Sequence, residues 1–349
     1  MLPVGIHARV TASESGEVVL LAHGSGGAMS HELIRNRLLA HIANPSLNTM
    51  DDAAVLQCGA RLAFTTDSYV ISPIVFPGGD IGRLAVCGTV NDLAMVGAQP
   101  AALSLALIIE EGLPLRTLDT VMQSVGDACI ESGVHIVTGD TKVVNRGKAD
   151  GLFITTSGIG LLHEGTDIAG RHARPGDKVL VSGPIAEHGV AIMSAREGLS
   201  FSTTIVSDCA PLNGLVAKML ETAAHELHSM RDPTRGGLAT TLNEIASQSA
   251  VGIIIDEDAI PVGREVHSAC EMLGLDPLYV ANEGKLIAIA APEMVDALLQ
   301  TMRAHPLGRD AAIIGRVVSE KPGKVVMRTR MGTTRLLQML AGELLPRIC

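Results

Sequence analysis

Apolar and polar positions change period along the chain, and each change marks a predicted element. AAVLQ (53–57) and RLAFTT (61–66) are strand-length apolar runs bounded by turn residues. Residues 79–98, GDIGRLAVCGTVNDLAMVGA, read as a helix with Asp80 as N-cap after Pro77-Gly78-Gly79. AALSLALII (101–109) is another strand. Residues 114–132 predict a helix with Leu115, Leu118, Met122, Val125 and Cys129 on its inner face, Pro114 at its start and Gly133 at its end. VHIVT (134–138) and GLFITTSGIGLL (151–162) return as strands.

The Gly-, Pro- and charge-rich stretch TDIAGRHARPGDK (166–178) predicts a linker. Beyond it the alternation restarts: strand 178–183, helices 188–198, 212–228 and 236–249, strand 251–256, and a helix over 261–273 with Val262, Val266, Ala269 and Leu273 inside. Strands at 285–290, 311–318 and 324–329 and a terminal helix complete the pattern. Long helices between β-rich segments imply an α+β domain, helices packed on one face of a mixed sheet, followed by an α/β domain of similar size. The expected divisions are a 1–40 arm with a Gly-rich loop, domains at 41–165 and 175–340, and a tail at 341–349.

At 349 residues the chain has ample length for two cores. With no Trp, four Phe and two Tyr, those cores must be aliphatic. A formal charge of −10 repels phosphate backbones, and so few aromatics leave little for base stacking, which argues against nucleic-acid binding. No apolar run approaches the roughly 18 residues of a membrane span, and the N-terminus lacks signal-peptide layout, so a cytoplasmic location is expected. The six cysteines, at 58, 87, 129, 209, 270 and 349, have neither disulfide-framework nor zinc spacing.

The acids carry the chemical signal. Asp51-Asp52 precede a strand, Asp67 ends one, Asn91-Asp92 sit in the first long helix, and Asp140 follows VHIVTG. Carboxylates at neighbouring strand ends would converge at one sheet edge, a set of hard oxygens suited to Mg²⁺ shared with phosphates. Each one alone also fits ordinary capping and turn formation. In MRDPTRGGLATTLNEIA, Asp232-Pro-Thr makes a turn, and Gly236-Gly237 would let backbone approach a ligand at a helix N-terminus. Arg235 there could meet an oxyanion or simply be solvated. YVANEGKL puts Asn282-Glu283-Gly284 in a tight turn. GSGGAM (24–29) lacks the third glycine of a dinucleotide fingerprint, and HELH (225–228) lacks the i+4 spacing of a metalloprotease, so it reads as an exposed helix end. The chain ends GELLPRIC; Pro346 keeps the end extended, and the nine residues from Ala341 reach roughly 30 Å at full stretch. Cys349 is thus a tethered thiol.

Together HGSGG, DDAAVL, TTDSYVISPIVFPGGDIG, GTVNDLAMVGA, GDTKVV, MRDPTRGGLATTLNEIA, LGLDPLYVANEGKL and terminal PRIC resemble the hydrogenase expression/formation protein E (HypE) family, from about residue 22 to 349. That family sits within the aminoimidazole-ribonucleotide-synthetase (PurM)-like ATP-binding superfamily. The resemblance implies a two-domain PurM-like fold, a homodimer formed through the N-terminal sheet, ATP in a cleft, and a carbamoyl group on Cys349 dehydrated to a thiocyanate for the iron of [NiFe]-hydrogenases. A carbamoyltransferase maturation protein would be the donor, and a scaffold complex holding iron the acceptor. It further implies Asp52, Asp67, Asp92 and Asp140 as Mg²⁺ ligands and Lys142 as an electrostatic clamp. Glu283, or else Asp92, would be the base. Gly24, Ser25, Gly26 and Gly27, with Asn91, Asp232, Thr234, Arg235, Gly236 and Gly237, would bind the nucleotide. The competing readings are another PurM-like enzyme, selenophosphate-synthetase-like or a small-molecule kinase, and a non-catalytic maturation adaptor.

Overall fold

In the computed structural model, the residues described are 27–33, 35, 49–51, 54–57, 59, 61–198, 205–340 and 347–349. The N-terminal half builds a five-stranded sheet from β1 (Ala54–Gln57), β2 (Arg61–Tyr69), β5 (Gln99–Glu110), β6 (His135–Val144) and β7 (Leu152–Leu161), in the order β1-β2-β7-β5-β6. Only β5 and β6 run parallel, because α3 (Leu115–Ser132) makes the crossover between them. The short β3 (Val75–Phe76) and β4 (Gly79–Asp80) form a separate ribbon leading into α2 (Ile81–Met95). Among the described residues upstream, Ala28–Leu33 forms a short helix, α1.

Asp80 caps α2, its Oδ1 accepting the N–H groups of Gly82 and Arg83 at 2.8 and 3.1 Å. Gly82 lets α2 and α3 approach closely, since a Cβ there would strike the Val121 carbonyl. The alternation in β5 sends Leu103, Leu105 and Leu107 into the core beneath these helices. The opposite face remains open and bears exposed Phe64, Ile108, Ile159 and Leu161.

The buried side of α3 is narrower than its sequence suggests. Val121, Val125, Ala128 and Cys129 are buried, whereas Leu115 is 76% exposed and Met122 38% exposed. Both lie at the edge of the stripe, where a 100° step per residue carries them past the sheet.

The C-terminal half forms a seven-stranded sheet of order β14-β13-β10-β12-β8-β11-β9. Its strands are β8 (Lys178–Val181), β9 (Leu227–Arg231), β10 (Gly252–Asp256), β11 (Ile287–Ala290), β12 (Ala312–Val318), β13 (Lys324–Arg328) and β14 (Thr334–Leu337). Helices cover both faces. Val179, Val181, Ile287 and Ile289 pack with Leu238, Leu242 and Ile245 of α6 (Gly237–Gln248). Leu180, Ala288 and Ala290 face α5 (Asn213–Ala223) and α8 (Val295–Ala304) on the other side. Burial on both faces explains why these strands read as unbroken apolar runs. Among the described residues the remaining α-helices are α4 (Glu187–Arg196) and α7 (Arg264–Leu273).

Three expectations need correction. The helix predicted over 212–228 stops at Ala223, and Leu227–Arg231 is strand β9, buried throughout. His228 is therefore no exposed helix end; it is buried, with Nδ1 2.8 Å from Asp177 Oδ2. A strand with both faces covered shows no period-2 signal, so helical periodicity ran over it. In place of the terminal helix, Thr334–Leu337 pairs antiparallel with β13, the turn closed by Gly332 at φ +78°. The 166–178 stretch does join the two sheets, between β7 and β8, and it is packed: Ile168, Ala169, Ala173 and Asp177 are buried.

The Gly236-Gly237 pair opens α6 with φ of +77° and +59°. A Cβ on Gly237 would lie 2.6 Å from the Val280 carbonyl and 2.8 Å from that of Leu278. The missing side chain makes room for the protein's own backbone, which brings the Asp232 turn against the Glu283 turn. Gly237→Ala is expected to destabilise the fold by about 1–3 kcal/mol, combining positive-φ strain with overpacking. A matching fall in the urea midpoint at unchanged m-value checks it.

Candidate active site

Four segments meet where the two sheets' helices approach each other. β2 contributes Thr65, Asp67 and Tyr69; α2 contributes Asn91 and Asp92; the other two are the 231–237 and 281–285 turns. Alternation along β2 points 65, 67 and 69 toward α2. There Thr65 donates to Asp92 Oδ2 at 2.7 Å, and Tyr69 donates to Asp67 Oδ2 at 3.0 Å. Gly88 sits under the phenol, where a Cβ would collide with Tyr69 Oη. Burial, then the Asp67 charge, pushes the Tyr69 hydroxyl well above its ordinary range, so it stays a donor.

Asn91 is spent on architecture. Its Nδ2 donates to the carbonyls of Ala210 (3.1 Å) and Glu283 (3.3 Å), and its Oδ1 accepts from Leu212 N–H at 2.7 Å. Asn282 does the same between the turns, with Nδ2 donating to Pro233 O at 2.8 Å and Oδ1 accepting from Ala186 N–H at 2.7 Å.

Glu283 lies between these pins, 3% exposed. Its Oε1 is buried with no hydrogen-bond partner. Burial, then the charges of Asp232, Asp208 and Asp67, raises its carboxyl well above the usual range, while Arg235 pulls the other way. The orphaned oxygen and heightened basicity are what a general base awaiting a substrate proton requires. The turn itself is held by Asp208, whose carboxylate accepts from Glu283 N–H (3.1 Å) and Gly284 N–H (3.3 Å) and pairs with Lys285 at 3.4 Å.

The chain terminus enters this cleft. Val70 N–H donates to the terminal carboxylate of Cys349 at 3.3 Å and Ser72 N–H to the Arg347 carbonyl at 3.2 Å, while Arg347 Nε returns a bond to Val70 O at 3.1 Å. Arg196 Nη2 adds a contact to Arg347 O at 2.8 Å, and Arg347 pairs with Asp150. Ile348 is buried. Burial pushes the Cys349 thiol up to about 12, opposed by Arg235 and reinforced by Glu283, Asp67 and Asp232. Arg235 is held above its usual range, with Cys349 the largest influence and burial opposing it.

Cys349, Glu283, Arg235, Asp232, Asp67 and Asp92 are thus brought together. Asp140 and Lys142 are not: both are exposed on edge strand β6, 3.1 Å apart and paired with each other. Gly24, Ser25, Gly26 and Asp52 lie outside the described residues. Gly27 packs on the root of the tail, where Ala28 N–H donates to Leu340 O at 2.6 Å and a Cβ on Gly27 would collide with that carbonyl. Thr234 is half-buried in the Asp232 turn, its N–H on Asp232 O at 3.0 Å. Sequence reasoning missed Tyr69, His188, Ser207, Asp208 and Lys285. Only Lys285 left a signal, as the cation closing ANEGK.

Among the described residues no group of three or more His, Cys, Asp or Glu is arranged to hold a metal ion by itself. Asp67 and Asp92 nonetheless present carboxylates on one wall of the cleft. A Mg²⁺ shared with phosphates needs only one or two from the protein, so this donor set fits it.

Residues 50–162 match the family described as AIR synthase related protein, N-terminal domain, and residues 174–328 the corresponding C-terminal domain. The chain is therefore a two-domain protein of the AIR synthase related class, with the PurM-like fold. It is 55% identical over 330 residues to carbamoyl dehydratase HypE of Rhizobium leguminosarum bv. viciae, covering 94% of each chain. The crystal structure of hydrogenase maturation protein HypE in complex with ATP superposes with a TM-score of 0.81 at 51% identity, over 95% of this chain and 100% of that one. HypE from the HypE-HypF complex gives 0.85 at 47% identity, over 88% and 99%. The chain belongs to the carbamoyl dehydratase HypE family.

Proposed function

We infer that the protein is an ATP-dependent carbamoyl dehydratase of hydrogenase maturation, acting on a carbamoyl group carried by its own Cys349. The single observation that supports the carrier role is the docking of the chain end on Val70 and Ser72, with Ile348 buried, which brings the Cys349 thiol within electrostatic reach of Glu283 and Arg235. Expelling oxygen from S–CO–NH₂ as oxide or hydroxide is prohibitive; esterified to phosphate, it leaves readily. The γ-phosphoryl of ATP is transferred to the carbamoyl oxygen, releasing ADP and one N–H proton and leaving S–C(OPO₃)=NH. The remaining N–H proton is then removed, the C–O bond breaks, and inorganic phosphate departs from S–C≡N. The sum is carbamoyl thioester plus ATP giving thiocyanate, ADP, phosphate and one proton.

Glu283 takes the nitrogen's proton, aided by its raised basicity. Arg235 neutralises charge at the carbamoyl oxygen and the incoming phosphoryl. Tyr69 and Thr65 hold Asp67 and Asp92 in place. Those carboxylates would hold Mg²⁺, which supplies charge neutralisation at the ATP phosphates. The turn glycines bring Asp232 and Arg235 to the nucleotide side of the cleft.

A HypF-like carbamoyltransferase is the donor, a reading supported by the HypE-HypF structure. The cyano group passes on to iron held by a scaffold complex. The open apolar face of the N-terminal sheet, with Phe64, Ile108, Ile159 and Leu161, supports pairing with a second copy.

Mass spectrometry of the C-terminal peptide tests the reaction. After incubation with carbamoyl donor, partner and ATP, carbamoylated Cys349 is expected to lose one water, and removing Mg²⁺ with EDTA to stop that loss. A stable carbamoyl adduct despite ATP hydrolysis would reject the dehydratase reading.

A further inference from the structure

His188, in the first turn of α4, is completely buried, with a hydrogen bond at each ring nitrogen. Nε2 is 2.6 Å from the Ile348 carbonyl, and Nδ1 is 2.7 Å from Ser207 Oγ. A carbonyl only accepts, so Nε2 carries the hydrogen. Ser207 Oγ also accepts the Cys209 N–H at 3.1 Å, leaving its own hydroxyl hydrogen for Nδ1. Burial, outweighing Asp208 and the Ile348 carbonyl, lowers the proton affinity of the imidazole and keeps this neutral tautomer. Phe76 meets the ring edge-on at 5.6 Å and 89°, which locks its plane.

We propose that His188, oriented by Ser207, is the positioning residue that seats Cys349 in the cleft by donating to the Ile348 carbonyl. The inference rests on Cys349 being the carrier. It deepens that reading, because the residue after Ser207 is Asp208, which holds the Glu283 turn. The latch on the tail and the support of the base occupy consecutive residues. Seating the terminal sulfur and aiming the carboxylate therefore depend on one short segment. The donor at Nε2 is buried, so departure of the tail removes the Ile348 acceptor from a site shielded from bulk water.

The test uses the full chain and needs no carbamoyl group. Iodoacetamide labelling of Cys349 is followed by mass spectrometry on peptide 325–349, released after Lys324, in which Cys349 is the only thiol. His188→Ala is expected to speed labelling by about tenfold, as the tail leaves its shielded seat. His188→Gln, whose amide N–H replaces the Nε2 donor, is expected to return most of the protection, and Ser207→Ala to fall between. On pre-carbamoylated protein, His188→Ala is expected to slow single-turnover water loss while the KM for ATP stays unchanged. Labelling at the parent rate in folded His188→Ala, or Gln no better than Ala, would overturn the latch. Should His188→Ala not fold, parent-rate labelling of Ser207→Ala overturns it equally. The labelling order is independent of the dehydration chemistry, so failure of that reaction would leave it standing.

Discussion

Replacing Cys349 with alanine is expected to abolish carbamoyl acceptance and thiocyanate formation outright, with ATP binding and melting temperature close to the parent's. The sulfur is the only atom changed, and the tail's recorded hydrogen bonds run through the main chain of 347–349 and the Arg347 side chain. The truncated side chain therefore still docks. Calorimetry with Mg²⁺ and ATP separates this from a folding defect, and mass spectrometry after exposure to donor and partner reads the acceptor role. Productive nucleotide turnover by Cys349→Ala with the partner present would mean that the activated group is diffusible. That outcome would favour the rival reading as a small-molecule kinase.

Glu283→Gln is expected to let the carbamoylated protein accumulate, with water loss slowed by about 10²–10⁴-fold, the usual span for removing a general base. Stability should move the other way. The carboxyl binds its proton more tightly when folded than unfolded, so its contribution is complete below the ordinary Glu range and is lost as pH rises through the folded value. Glutamine has no such loss. The variant should melt no lower than the parent at neutral pH, and the advantage should vanish at acid pH. A melting temperature depressed at pH 7 with normal thiocyanate formation would reassign the proton acceptor.

The periodic elements were legible because each buries one face. Leu103, Leu105 and Leu107 announce a half-covered strand, and Asp80 with Gly133 marks where helices begin and end. Strand β9 was hidden because both its faces are covered, and β14 because its exposed Thr334, Arg335 and Leu336 carry no alternating apolar signal. The family resemblance, and not the local pattern, put the Asp232 and Glu283 turns beside Asp67 and Asp92, which alone among the described acidic turns lie in the cleft. Those turns could not tell that Asp140 lies apart, since a strand's lateral position follows from topology and not from local pattern. Ser207 and Asp208 stayed invisible for a related reason: their partners His188 and Glu283 lie 19 and 75 positions away in the chain, and only the folded chain makes them neighbours.

The mooring of the terminus is indifferent to its cargo. Nothing in the ladder to Val70 and Ser72 touches the sulfur, so thiol, carbamate and nitrile ride the same berth with the same grip. Completion of the chemistry therefore does not itself eject the finished group. On the proposed reading hand-over falls to the recipient, which must compete for the main-chain oxygens of 347–349 that the cleft now holds.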